Sequence, residues 1–348
     1  MRVLCLIAFV CFVNGAAWGQ QTYAEKLGWP KGAKVVIFHV DDAGMFYSAN
    51  QGTIKSIEQG VATSTSIMMP CAWAASFVNY VLKNPTVDAG IHLTLTSEWR
   101  DYRWAPLAGI KQVPTLTDNE GALWRSVEEV VKHGSPDEIE TEIRAQVDRA
   151  IKMGLKPTHL DSHMGTLFAT PAFLERYIKV GIEYGIPVMF PGGNNKLLIE
   201  CEVQPVIDKL KAEGKWRDGM ELPVPEPLKQ TKAIGEKIWN AGLPVLDDLH
   251  TMSGSWKPRN ADNNFEAWGK YKTEKFKETL RKMQPGVAML IVHSNDRNDT
   301  FQYVSGSGGS RLADMLSMMD PDLKAFLQSE GIILTTWREL MERRRQIK

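Results

Sequence analysis

An α/β fold, its parallel strands closed into a distorted (β/α) barrel, is predicted for this 348-residue chain on three observations. Apolar runs of strand length recur from Lys34 to Thr335, and helical periods separate several of them. The residues able to do chemistry gather where those runs end, which is where such folds place their sites.

The strand candidates, in order, are Lys34–Val40, Thr63–Met69, Val87–Leu93, Thr158–His163, Pro187–Phe190, Pro244–Leu249, Val287–His293 and Gly331–Thr335. The first contains "VVIFHV", apolar on consecutive positions except at His39, as expected of a strand covered on both faces. Between strands, Ile139, Ile143, Val147 and Ile151 recur every four residues in "DEIETEIRAQVDRAIKMG", a helix that Gly154 closes. Pro171 opens a second helix, "PAFLERYIKVGIEYG", which ends at Gly185. The C-terminal "WRELMERRRQIK" is a charged amphipathic helix, expected on the solvated surface. Two regions break the rhythm: Trp99 to Leu116, rich in Trp, Tyr and Pro, and Gly192 to Gly242, without clear periodicity. "QYVSGSGGSR" (302–311) is expected as a flexible loop, and its glycines lack the strand and helix context of a phosphate-binding turn. No internal repeat is visible, and residues 20–348 are expected to form one domain.

Ahead of that domain, "MRVLCLIAFVCFVNGAAWGQQ" carries Arg2, an apolar run from Val3 to Val13, and small residues up to Gly19. This is the layout of a secretory signal peptide over residues 1–19, and it predicts a secreted or periplasmic protein. The run is short for a membrane span, and no other long apolar run follows, so no span is expected in the mature chain. Lys+Arg and Asp+Glu balance at 41 each, which gives no support for nucleic acid or anionic membrane as a partner. Cys71 and Cys201 are the cysteines beyond the leader, open to one disulfide or to two separate thiols. Trp99, Trp104, Trp216, Trp256 and Trp268 lie in loop-like contexts, where Trp serves either as core or as a sugar-stacking surface.

Six of the seven histidines lie outside the surface-like "VKHGS" around His133. His39, His92, His159, His163 and His293 fall at the ends of strand candidates, and His250 follows "VLDDL". A lone strand histidine is usually a hydrogen-bonded core residue. Several of them on separate parallel strands converge on one barrel mouth. Asp42 with His92 and His163 supplies one carboxylate and two imidazoles, a set suited to a divalent catalytic metal with open positions. Asp41 is then free to stay ionised as a general base. In "THLDSH", alternate residues share a face, so Asp161 either orients a neighbouring imidazole or lines the site. His159 is taken with Asp161 as a substrate-side candidate. His39 sits either behind the site or in the core.

These residues resemble a known family. "HVDDAGMFYSANQGTIKSIEQGVATSTSIMMPC", "DAGIHLTLTSEW" and "KPTHLDSHMGTLF" are similar to the YdjC-like carbohydrate deacetylases, which include chitooligosaccharide and hopanoid-sugar deacetylases. The resemblance covers roughly the first half of the mature chain and is looser beyond it. It implies a distorted (β/α) barrel related to the polysaccharide deacetylases and one divalent metal, Mg2+ or Zn2+, held by an Asp and two His. Asp41 matches the family's catalytic base, Asp42, His92 and His163 its metal ligands, and His293 its late strand-end general acid. Ser294 stands where the family usually has Pro, Met164 and Gly165 where it often has further His, and Ala43 where it often has Phe. The implied activity is removal of acetyl groups from N-acetylated sugars, with a small carbohydrate as partner. Two alternatives stay open: hydrolysis of another amide or ester, and a non-catalytic carbohydrate-binding relative. Retention of both Asp41 and His293 favours an enzyme.

Overall fold

The computed structural model describes residues 21–220, 222–259 and 264–347. The expected leader, 1–19, lies outside the described residues. Strands β1 (Lys34–Ala43), β2 (Ser64–Ile67), β3 (Ala89–Leu93), β4 (Leu160–Ser162), β5 (Asp248–His250), β6 (Gly286–Val292) and β7 (Ile333–Leu334) are separated by helices. These are α1 (Tyr23–Lys26), α2 (Tyr47–Glu58), α3 (Ala74–Lys83), α4 (Val127–His133), α5 (Pro136–Lys152), α6 (Pro171–Tyr184), α7 (Lys196–Ala212), α8 (Thr231–Asn240), α9 (Phe265–Lys282), α10 (Gly308–Met318), α11 (Pro321–Ser329) and α12 (Trp337–Gln346).

All strand pairs are parallel, in the order β4-β3-β2-β1-β6-β5, with β7 against the start of β1. The sheet curls so that β4 and β5 approach each other through residues 187–191. There Leu160 N–H donates to Pro187 O and Met189 N–H to Leu160 O, both at 2.8 Å, while Leu246 N–H donates to Phe190 O at 3.1 Å. The expected strand Pro187–Phe190 therefore closes the distorted barrel through isolated bridges and forms no ladder. Pro187 and Pro191 at its ends have no N–H to offer a neighbour.

The strand that reads as apolar on consecutive positions is covered on both faces. Val35 and Ile37 pack with Met289, Ile291, Ile67 and Ile91. Val36, Phe38 and Val40 pack outward on Phe276 and Leu280 of α9 and Leu323 and Phe326 of α11. Phe38 meets Phe276 edge-on with ring centres 5.6 Å apart; full burial of each such side chain contributes about 1.5–3 kcal/mol. Because side chains alternate along a strand, His39 and Asp41 fall on the face of Val35 and Ile37.

α5 forms where its four-residue period predicts it and α6 where Pro171 and Gly185 bound it, and Gly185 ends α6 in the left-handed conformation. Elsewhere the structure corrects the sequence reading. Residues 192–242 contain α7, whose period Pro205 interrupts, and α8. Asp248 fixes the start of α7 by accepting from Leu197 N–H and Leu198 N–H at 2.9 and 3.2 Å. The expected loop 302–311 runs into α10 at Gly308. A Cβ at Gly309 would meet Phe265 at 2.9 Å and Trp268 at 3.0 Å, so glycine serves packing there. α12 has an exposed polar face but is anchored: Trp337 and Leu340 are buried, and Asp88 accepts from Trp337 N–H and Arg338 N–H. Trp104 and Trp268 are buried in the core and are not loop surface. Cys71 and Cys201 are separate buried thiols. No helix among the described residues is long and apolar enough to cross a membrane.

Candidate metal and active site

Register brings the chemistry together. Val40 pairs with Val292, which sets Asp41 level with His293 on the neighbouring strand. His92 pairs with Asp161 across β3 and β4, and His39 with Ser64 across β1 and β2. A regular strand would send Asp41 and Asp42 to opposite faces. The register shifts between Val40 and Ala43, and Asp42 has a φ of 66°, which Asp tolerates better than most residues. Both carboxylates consequently reach one imidazole: His293 Nε2 is 3.8 Å from Asp41 Oδ2 and 4.0 Å from Asp42 Oδ2.

Three donor atoms converge beneath. Asp42 Oδ1 lies 3.2 Å from His92 Nε2 and 3.3 Å from His163 Nδ1, and those nitrogens are 3.2 Å apart. The other nitrogen of each ring is committed. His92 Nδ1 faces Asp161 Oδ1 at 2.7 Å, and His163 Nε2 faces both oxygens of Glu98 at 3.2 Å. A carboxylate only accepts, so those nitrogens carry the protons. In the neutral rings, His92 Nε2 and His163 Nδ1 then turn lone pairs toward each other and toward Asp42. Three acceptors facing one another are compatible with a bound cation. Ligands about 2.0–2.1 Å from one ion, at octahedral to tetrahedral angles, sit about 2.8–3.4 Å apart. The observed separations fit a divalent ion of that size.

Without an ion, the electrostatics place protons on the same two rings. Burial pushes the Asp42 carboxyl up, but Arg311, His163 and His92 hold it well below the usual carboxylate range. Burial pushes His163 down, but Glu98 and Asp42 lift it to about 9. His92 is likewise lifted well above its ordinary value, against burial, by Asp161, Asp41 and Asp42. Asp41, Asp42, Asp161 and Glu98 face Arg311 and His39 as their other cationic partners. The balance left over is the charge of a divalent ion or of two imidazolium rings.

Asp161 and His159, expected on the substrate side, are both closed off. Asp161 orients His92, the other role open to it in the sequence. His159 is wholly buried, its ring stacked on Trp337 with centres 5.2 Å apart. It lies against Gly90, where a Cβ would meet its ring at 2.5 Å, and its Nε2 is 3.7 Å from Asp161 Oδ2. His293 is half-buried; burial lowers its pKa, and Arg311 adds to that against the opposing pull of Asp42 and Asp41. Its backbone N–H donates to Asp314 Oδ2 at 3.0 Å, and Asp314 Oδ1 accepts from the buried Lys272 at 2.7 Å. His250 is buried away from this set, tilted against Trp256 with ring centres 4.9 Å apart.

The sequence reading did not single out Arg311 or Glu98. Arg311 Nη2 is 2.7 Å from Asp42 Oδ2, an ion pair outside hydrogen-bond geometry, while its Nε donates to Ser307 Oγ at 2.8 Å. One signal was available: in "SRLADMLSMM", Arg311 and Asp314 share a helix face with Met315 and Met318, and charge on an apolar stripe is unusual.

Comparison with known proteins bears on the same residues. The profile of the family described as YdjC-like protein matches residues 35–329, from β1 through α11. The chain belongs to the YdjC-like family. A carbohydrate deacetylase of Thermus thermophilus is 32% identical over 209 residues, covering 59% of this chain and 73% of the relative. One from Thermoanaerobacter pseudethanolicus is 23% identical over 305 residues, covering 87% and 98%. A third, from Brevibacillus brevis, is 36% identical over 156 residues; the match spans 45% of this chain and 59% of that relative's length. Among solved structures, a protein from Enterococcus faecalis, assigned provisionally to cellobiose-phosphate cleavage, superposes with a TM-score of 0.65 at 18% identity. That match covers 88% of this chain and 99% of the other and shows a shared fold. For the YdjC-like chain described here, the family match takes in Asp41, Asp42, His92, His163 and His293 together.

Proposed function

We propose that this chain is a divalent-metal-dependent carbohydrate deacetylase that hydrolyses the N-acetyl group of an amino sugar. The observation that carries the reading is the convergence of Asp42 Oδ1, His92 Nε2 and His163 Nδ1 within 3.3 Å of one another, beside Asp41 and His293. The description of the relatives as carbohydrate deacetylases supports the substrate class.

Asp42, His92 and His163 would hold the ion, which when bound supplies Lewis-acid polarisation of the acyl oxygen and a more acidic water. Asp41 Oδ2 faces the space in front of His293 and takes the proton of the attacking water. The water oxygen bonds to the acyl carbon, and the C–N bond then breaks. Protonated His293 gives its Nε2 proton to the departing nitrogen, leaving acetate and a free amino sugar, and the proton taken by Asp41 restores it. The 3.8 Å between Asp41 Oδ2 and His293 Nε2 exceeds hydrogen-bond length, so neither is bonded to the other and both can turn to a reacting group in front of them. Tyr47 and Trp73, 46% and 39% exposed, follow β1 and β2 on the same end of the barrel, with ring centres 5.2 Å apart. They supply an aromatic surface of the kind that sugar faces stack on. The leader-like N-terminus supports action on an extracytoplasmic sugar.

The test is acetate release from a panel of N-acetyl sugars of increasing length, after chelation and after each metal is restored. Release that chelator abolishes and Mg2+ or Zn2+ restores is the expected result. Hydrolysis of simple esters or other amides with no acetate from any N-acetyl sugar would replace this reading.

A further inference from the structure

His39 has no part in the reading above, yet it sits between the two halves of the site. Its side chain has no solvent exposure. Nε2 lies 3.1 Å from Asp41 Oδ1, 2.9 Å from Asp161 Oδ2 and 3.1 Å from Ser66 Oγ. Nδ1 is 3.0 Å from Ser64 Oγ, and the His159 ring stands edge-on with its centre 4.9 Å away. A ring nitrogen flanked by two carboxylate oxygens must carry a proton, since its lone pair would otherwise face two anions. Neither Asp41 Oδ1 nor Asp161 Oδ2 has a hydrogen-bond partner among the described residues; His39 Nε2 is the closest imidazole nitrogen to both, ahead of His92 Nδ1 at 3.9 Å from Asp41 Oδ1 and His159 Nε2 at 3.7 Å from Asp161 Oδ2.

We infer that His39 is the positioning residue of Asp41. By holding Oδ1 inward it leaves Oδ2 as the oxygen that faces His293. The same imidazole meets the far oxygen of Asp161, whose near oxygen fixes His92 at 2.7 Å. His39 therefore sets the base and braces the carboxylate behind a metal ligand through one nitrogen. A histidine that only filled the core would have no need of two anionic neighbours. Ser66, which touches both His39 Nε2 at 3.1 Å and His92 Nδ1 at 3.2 Å, completes the link.

That Asp41 is the base rests on the function proposed above; the orientation of its carboxylate does not. The test therefore reads both. Crystal structures of His39→Leu and His39→Gln would give the distance from Asp41 Oδ2 to His293 Nε2, and acetate release would give kcat and KM. In His39→Leu the carboxylate should swing away from His293, and kcat should fall about 10²-fold with KM held, as misplacement by about 1 Å does elsewhere. Gln keeps an N–H donor at that reach, so His39→Gln should restore the orientation and most of kcat, and it carries the test if the Leu variant does not fold. Orientation and kcat moving together is the expected result. Asp41 in place with kcat lost, Asp41 displaced with kcat kept, or neither changed, would each overturn the inference. If the wild type releases no acetate, the proposed function fails and the orientation alone decides the role of His39.

Discussion

Arg311 Nη2 stands 2.7 Å from Asp42 Oδ2, on the side of the carboxylate opposite His92 and His163. The guanidinium takes one oxygen and leaves the other to the imidazole pair. Both groups are buried, so losing one partner strands the other's charge at a cost of about 3–5 kcal/mol. Arg311→Met should lower the unfolding free energy of the metal-free protein by about that amount. Arg311→Lys should cost clearly less, because it keeps the charge while losing the fork that also reaches Ser307. Denaturant titration in chelator measures both. A Met variant as stable as the wild type would show that Asp42 does not depend on this cation.

The carboxylate of Asp161 holds His92 Nδ1 at 2.7 Å and so aims Nε2 at Asp42. Replacing such a partner behind a metal ligand typically costs about 10–100-fold in affinity. Asp161→Asn should weaken divalent-metal binding by that factor, read by competition with a chromogenic chelator. His159→Asn, at a residue that touches no ligand atom directly, should leave metal affinity nearly unchanged. Equal losses in the two variants would place His159 in the site after all.

Much of this arrangement is legible in the sequence, for physical reasons that can be named. Consecutive apolar residues in β1 mark a strand covered on both faces, and a parallel sheet sends every strand end to one mouth. Asp41, His92, Asp161 and His293 could therefore be grouped before any coordinates. Closure through residues 187–191 was not legible as isolated bridges, because a proline-bounded apolar run reads as a strand. Nor did α7 show, since Pro205 interrupts its period. Glu98 carries no periodic signal, and Arg311 shows only as a charge on the apolar stripe of α10; both act because tertiary packing brings them to His163 and Asp42. His39 and His159 could be located on strands but not assigned neighbours. What each of them faces depends on register and on which side chains lack bulk, as at Gly90.

The division of labour between the adjacent carboxylates predicts separable losses. Asp41→Asn keeps the donor set Asp42, His92 and His163 and should retain metal by elemental analysis, while acetate release falls about 10²–10⁴-fold. His92→Ala and His163→Ala should each lose the metal along with the activity. His293→Gln should retain metal and lose turnover, since its imidazole lies 3.8–4.0 Å from both carboxylates and outside the converging donor set. Undiminished turnover in Asp41→Asn would remove it from the role of base. Full metal stoichiometry in both histidine variants would refute the ligand set.

His250 offers a stability prediction independent of the metal. It is buried beside Trp256, Nδ1 has no partner among the described residues, and Asp314 is the charged group whose field reaches it. Burial pushes its pKa down to about 4, against the weaker opposing pull of Asp314. The unfolded chain holds this histidine near its ordinary value of about 6.5 and so binds the extra proton first as pH falls. The contribution of His250 to stability is therefore fully present above about pH 6.5 and is lost progressively toward pH 4. Between pH 7.5 and 5 the loss should reach about 2 kcal/mol. His250→Gln removes the titration, so the difference in unfolding free energy between variant and wild type should shift by that amount across the window, in favour of the variant at low pH. Denaturant unfolding at a series of pH values reads it directly. Parallel curves for the two proteins would show that His250 takes up its proton in the folded state as readily as in the unfolded one.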